Sequence, residues 1–97
     1  MAAEFHRLAI QEFREARDWY RQRSPQAADR FMAALHRGLD WAAANFAALQ
    51  VTSYGCRWVR LKRYPYVLIL QQDAPGDLFV VAVSHTSRRP EYWRRRI

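Results

Sequence analysis

The arginines of the second half are the residues of this chain best suited to chemistry. Of 97 residues, 16 are Lys or Arg and 9 are Asp or Glu, a formal net charge of +7. Residues 1–48 carry a net +1 and residues 49–97 a net +6, and every basic residue but Lys62 is Arg. The planar fork of Arg fits phosphate and carboxylate. Arginines flank Tyr and Trp in the final stretch, His85-Thr86-Ser87-Arg88-Arg89-Pro90-Glu91-Tyr92-Trp93-Arg94-Arg95-Arg96-Ile97. Arginine beside aromatic rings suits stacking on bases. A basic domain points to an acidic partner, either nucleic acid or an acidic protein. A solvated basic surface explains the charge equally well. Cys56 is the one cysteine, which excludes a disulfide framework and a multi-cysteine zinc site. It reads as a small strand residue without thiol chemistry. No metal and no cofactor is expected.

These residues need elements to position them. With 51% hydrophobic and 14% aromatic residues, disorder is excluded and residues 1–97 read as one domain. Ala9, Phe13, Ala16 and Tyr20 form one face of a helix from about Leu8 to Arg23. Ser24-Pro25 marks a boundary, with Ser as cap and Pro in the first turn. Ala28, Phe31, Met32, Leu35, Leu39, Ala42 and Phe46 continue as a second helix of about twenty residues. Gly38 lies inside it and costs about 1 kcal/mol relative to Ala, so a close helix crossing is expected there. Extended runs follow. Cys56 to Leu61 alternates, with Arg57, Val59 and Leu61 on one side and Trp58, Arg60 and Lys62 on the other. Tyr66 to Gln72 and Leu78 to Ser84 are the next strands, and Ala3 to His6 is an optional fourth. The fold class is α+β: an N-terminal helix hairpin packed on a three- to four-stranded antiparallel sheet. No apolar run is long enough to span a membrane. The start MAAEFHRLAI has no signal-peptide pattern, so a cytoplasmic protein is expected.

Several blocks occur in a recognisable order. They are Gly55-Cys56-Arg57, Arg63-Tyr64-Pro65-Tyr66, Ala82-Val83-Ser84-His85 and the C-terminal stretch, with Arg88, Pro90, Tyr92 and Trp93 as its spaced members. This set resembles the ParE/RelE superfamily of bacterial toxins, from type II toxin–antitoxin (plasmid stabilisation) modules, and its ParE-like branch in particular. Ala9, Glu12, Ala16, Tyr20 and Arg30-Phe31 also stand where that family has similar residues. Two features depart from it: the first strand is short, and the Pro often found after the second helix is missing from residues 45–50.

The resemblance implies the same fold and a toxin neutralised by a cognate antitoxin. The antitoxin's C-terminal segment would wrap the toxin, giving a hetero-oligomer. Its acidic character would suit the +6 second half. The ParE-like branch implies inhibition of DNA gyrase without hydrolysis. The alternative is a RelE-like, ribosome-dependent, metal-independent mRNA endoribonuclease, for which Arg60, His85, Arg88 and Tyr92 are the candidates. Trp58 stands where a strand lysine is expected, and the central strand carries no Arg, so the nuclease set is incomplete. A plain basic nucleic-acid-binding module is a third reading. The expected residues for binding target or antitoxin are Arg57, Arg60, Arg63, His85, Arg88, Arg89, Tyr92 and Trp93. Structural roles stand beside these. His85 would be a hydrogen-bonded strand end, Tyr92 and Trp93 a cover for the open sheet face, and Arg57 an ion-pair donor. Arg94 to Arg96 reads as a solvated basic tail.

Overall fold

The computed structural model describes residues 2–97. Strand β1 (Ala2–Phe5) leads into helix α1 (Arg7–Arg21) and helix α2 (Pro25–Ala44). A two-residue strand, β2 (Gln50–Val51), precedes β3 (Arg57–Arg60), β4 (Tyr66–Gln71) and β5 (Asp77–His85). The helix boundaries follow from local chemistry. His6 caps α1, its Nδ1 accepting from the Leu8 N–H at 3.1 Å. Ser24 caps α2, its Oγ accepting from the Ala27 N–H at 3.0 Å. Pro25 then occupies the first turn, where its missing N–H costs nothing.

The sheet has five strands in the order β1-β5-β4-β3-β2. β2 through β5 pair antiparallel in sequence, whereas β1 lies parallel to β5. The sheet is therefore mixed and five-stranded, which corrects the expected three- to four-stranded antiparallel sheet. A tight turn forces antiparallel pairing, but β1 and β5 are separated by the helix hairpin and the whole meander. β2 is too short to show alternation in sequence.

The helix hairpin covers one sheet face. Phe31, Leu35 and Leu39 of α2 and Ala9 and Ala16 of α1 pack there with Leu68, Leu70, Leu78, Val80 and Val83. Phe31 is the hub. Its ring stacks on Tyr20 at 5.1 Å and meets Tyr64 at 5.4 Å and Tyr66 at 5.5 Å. Four rings thus tie both helices to the β3–β4 turn and to β4. Burial pushes the Tyr20 and Tyr66 phenols above their ordinary pKa. Gly38 faces the sheet and not a helix crossing: a Cβ there would lie 2.8 Å from Leu61 Cδ2 and 3.6 Å from Leu68 Cδ1. The glycine lets α2 settle on the sheet over these two leucines.

The β3–β4 connection closes where Leu61 N–H donates to the Tyr66 carbonyl at 2.9 Å. Arg63, at φ 71°, takes the left-handed conformation in this turn. On β5, Val80 pairs with Leu70 and Ala82 with Ile69, which leaves Val81 as a bulge. The bulge shifts the strand's phase. Leu78, Val80 and Val83 face the helices, while Phe79, Val81 and Ala82 face the opposite side. Among the described residues no helix is long and apolar enough to cross a membrane. Because Phe31 is fully buried, Phe31→Ala should lower the unfolding free energy by about 3–5 kcal/mol. Chemical denaturation will measure this, with Phe31→Leu expected to lose clearly less.

Candidate functional site

Three places gather the charged side chains, and the first is a buried clasp. β1 ends at Phe5, opposite Val80, so from Val81 onward that edge of β5 has no strand neighbour. Side chains take its place. Glu12 Oε1 of α1 accepts from the Val83 N–H at 3.0 Å, and Arg96 Nη1 donates to the Val81 carbonyl at 3.1 Å. The two residues then grip each other, with Nη1 donating to Oε1 at 2.8 Å and Nη2 to Oε2 at 3.0 Å. Their side chains are only 12% and 10% exposed. The Tyr92 hydroxyl completes the set, donating to Glu12 Oε2 at 2.5 Å. Burial, followed by the adjacent Glu12 carboxylate, pushes the Tyr92 phenol up to about 12. The Tyr92 ring lies 4.0 Å from Arg88 Cζ and 5.1 Å from Arg96 Cζ. Arg96 is thus not part of a solvated tail, whereas Arg94 and Arg95 are exposed.

The clasp sets what the tail covers. Trp93 is 3% exposed and packs on the open sheet face with Cys56, Ile69, Val81 and Ala82. Tyr54 meets the Trp93 ring edge-on at 6.3 Å. Burial raises the Cys56 thiol pKa, partly opposed by a hydrogen bond with Gln71.

Beside this cover lies a shallow groove of about 350 Å³ that includes His85, Arg88, Arg89, Thr86 and Trp93 in its lining. His85 Nδ1 accepts from the Ser87 N–H at 3.0 Å and lies 2.7 Å from Ser87 Oγ. A backbone N–H can only donate, so in neutral His85 the ring proton sits on Nε2. The imidazole then offers a donor, not a base. Glu91 accepts from the Ser53 hydroxyl. With two exposed arginines and an N–H donor, the groove can hold an anion, and Glu91 is the one carboxylate in its lining.

The third place is a larger groove of about 730 Å³ between α2 and the β3–β4 turn, where Arg60 and Arg63 lie. The nuclease candidates are therefore divided. Arg60 lines this groove, His85 and Arg88 line the smaller one, and the Tyr92 hydroxyl is committed to the clasp. The expected binding residues also separate. Arg60, Arg63, Arg88 and Arg89 are exposed, and Trp93 is buried. Arg57 makes no ion pair among the described residues. It donates to the Ala47 and Leu49 carbonyls at 3.2 and 2.8 Å, and so ties the loop after α2 to β3. Sequence reasoning missed Glu12 and Arg96 as partners. The available signal was Glu12 itself, a carboxylate three residues after Ala9 and four before Ala16, beside the apolar stripe. Arg30 and Arg37 of the larger groove were missed because the first half is nearly neutral. Among the described residues, no group of three or more His, Cys, Asp or Glu is placed to hold a metal ion.

Residues 3–90 match the family model described as the ParE toxin of the type II toxin–antitoxin system, parDE. No curated protein and no solved structure matched the chain. The match stops before Tyr92 and Arg96, so the C-terminal half of the clasp lies beyond it.

Removing one charge from a buried pair leaves the other uncompensated, so Glu12→Gln should lower stability by about 3–5 kcal/mol. If the clasp fastens the tail, the same variant will also expose Cys56 to a thiol reagent under native conditions, and an unchanged reaction rate would show that Trp93 holds the tail alone. The Tyr92 phenol gives a pH signature. Its raised pKa stabilises the fold fully below about pH 10, and this contribution is lost as pH rises through about 12. Tyr92→Phe should therefore flatten the alkaline fall in stability, leaving the part due to Tyr20 and Tyr66.

Proposed function

The chain belongs to the ParE toxin family of type II toxin–antitoxin systems, and we propose that this toxin acts by binding, as an inhibitor of DNA gyrase, and not by cutting RNA. Family membership implies a cognate antitoxin. Gyrase as the target rests on the resemblance of the C-terminal blocks to the ParE-like branch. The single observation that favours a non-nuclease is the position of Tyr92. Cleavage without a metal calls for a base at the attacking hydroxyl and an acid at the leaving oxygen. The Tyr92 hydroxyl donates to Glu12 at 2.5 Å inside a half-buried network. His85 presents Nε2–H when neutral, because Nδ1 accepts from Ser87 N–H. The one carboxylate in the lining of the groove that includes His85, Glu91, accepts from the Ser53 hydroxyl.

In this reading Arg60, Arg63, Arg88 and Arg89, with His85, form the surface offered to target and antitoxin. Arg57, Tyr92 and Trp93 hold that surface in place. The complex is a toxin–antitoxin hetero-oligomer in the cytoplasm.

The test is inducible expression with and without the neighbouring gene, coupled to two readouts. We expect growth arrest relieved by the neighbour, loss of gyrase supercoiling with trapped DNA cleavage, and no new mRNA ends during in vitro translation. Tyr92→Phe should stay toxic. Ribosome-dependent mRNA cuts that disappear in Tyr92→Phe would overturn the reading.

A further inference from the structure

One end of the sheet gathers cations from two connections. Tyr66, which opens β4, pairs with His85, which closes β5, so the β3–β4 turn and the segment after β5 leave the sheet side by side. The Thr86 N–H fastens them together, donating to the Pro65 carbonyl at 2.9 Å. The turn carries Lys62 and Arg63, the segment carries Arg88 and Arg89, and all four are exposed. Among the described residues none of the four forms an ion pair. Within residues 60–66 and 84–91 the one carboxylate is Glu91, and it accepts from the Ser53 hydroxyl. The display is also held in place. The Tyr66 ring meets His85 edge-on at 5.2 Å. Arg88 Cζ lies over the Tyr92 ring at 4.0 Å, which orients the guanidinium without a carboxylate. Arg63 holds φ 71°, a conformation that glycine takes without strain, so the backbone alone does not call for an arginine there.

We infer that this end of the sheet binds the phosphate backbone of duplex DNA, independently of sequence. The inference rests on the reading that the toxin acts on gyrase, an enzyme that holds DNA, and it assigns part of the toxin's surface to the DNA itself. The arginine fork matches phosphate oxygens, and hydroxyls such as those of Thr86 and Ser87 add backbone contacts. The four cations stand on turns and loop, not on a helix or strand that could enter a groove, so base edges go unread. A single strand of RNA needs exposed rings to stack its bases. This end offers none: Tyr64 and Tyr66 pack on Phe31, and Trp93 is buried. An acidic protein needs an apolar anchor beside its charges, and Lys62, Arg63 and residues 86–89 supply none.

The probe is a fluorescein-labelled DNA duplex of about 20 base pairs, titrated with the full chain over a range of salt and read by anisotropy. Two double variants each remove two charges: Arg63→Gly/Arg88→Gln at the end of the sheet, and Arg7→Gln/Arg14→Gln at exposed positions of α1. Circular dichroism confirms that both fold. Each phosphate contact contributes about 0.9 to the slope of log affinity against log salt. The end pair should therefore lower that slope by about 2 and weaken binding about tenfold or more, and the α1 pair about twofold or less. Arg89→Gln alone should lower the slope by about 1. Equal losses in the two double variants would reduce the effect to net charge and overturn the inference. So would tighter binding of a single-stranded RNA of the same length, or equal displacement of the duplex by polyglutamate. If the chain inhibits supercoiling while Arg63→Gly/Arg88→Gln binds the duplex normally, the DNA assignment fails and the gyrase reading stands. If the duplex behaves as expected while supercoiling is untouched, the gyrase reading fails and the DNA assignment stands.

Discussion

A buried β-strand edge needs hydrogen-bond partners, and on one side β5 has a strand partner for only part of its length. β1 pairs with it from Asp77 to Val80 and then the chain turns away into α1. An unpaired, buried backbone edge is costly. Here Glu12 and Arg96 take over, one accepting from Val83 and the other donating to Val81. This single substitution of side chains for a strand joins the first helix, the middle of the sheet and the penultimate residue of the chain. The ion pair is largely removed from water, so its strength lies less in net stability than in the penalty for losing either member.

The rest of the site depends on this constraint. The bulge at Val81 rotates β5, so that Val83 faces the helices while Val81 and Ala82 face the tail. Trp93 fills the resulting apolar patch, three residues before Arg96. Tyr92 is drawn inward by the Glu12 carboxylate, to which its hydroxyl donates. The two exposed arginines, Arg88 and Arg89, are left as the basic display beside His85.

Much of this was legible in the residues. The helix stripes, the Ser24-Pro25 boundary and the alternation of Val59 and Leu61 against Trp58 all encode local burial, and local burial is periodic. The cover role of Trp93 was legible as well. Gly38 was visible as an anomaly, but its neighbour was not, because a missing Cβ fits a helix crossing or a sheet contact equally well. Arg57 was expected to bind a partner or to donate to an ion pair, but it donates to carbonyls of the loop after α2, which no charge pattern can announce. Arg96 looked like its exposed neighbours Arg94 and Arg95, since three arginines in a row carry no mark of which one turns inward.

By itself, then, the sequence determined the helix pair, the strand runs that pack against it, the charge asymmetry and the ordered blocks that identify the family, because each of these is written in spacing along the chain. Only the tertiary structure decided that β1 lies parallel to β5, that the arginines fall into two separate grooves and one clasp, and that Glu12, Tyr92 and Arg96 belong together. Those pairings join residues about 75 to 84 positions apart, or fix which of several equivalent arginines is buried. Such choices are set by where a sheet edge is left open, and that edge exists only once the chain has folded.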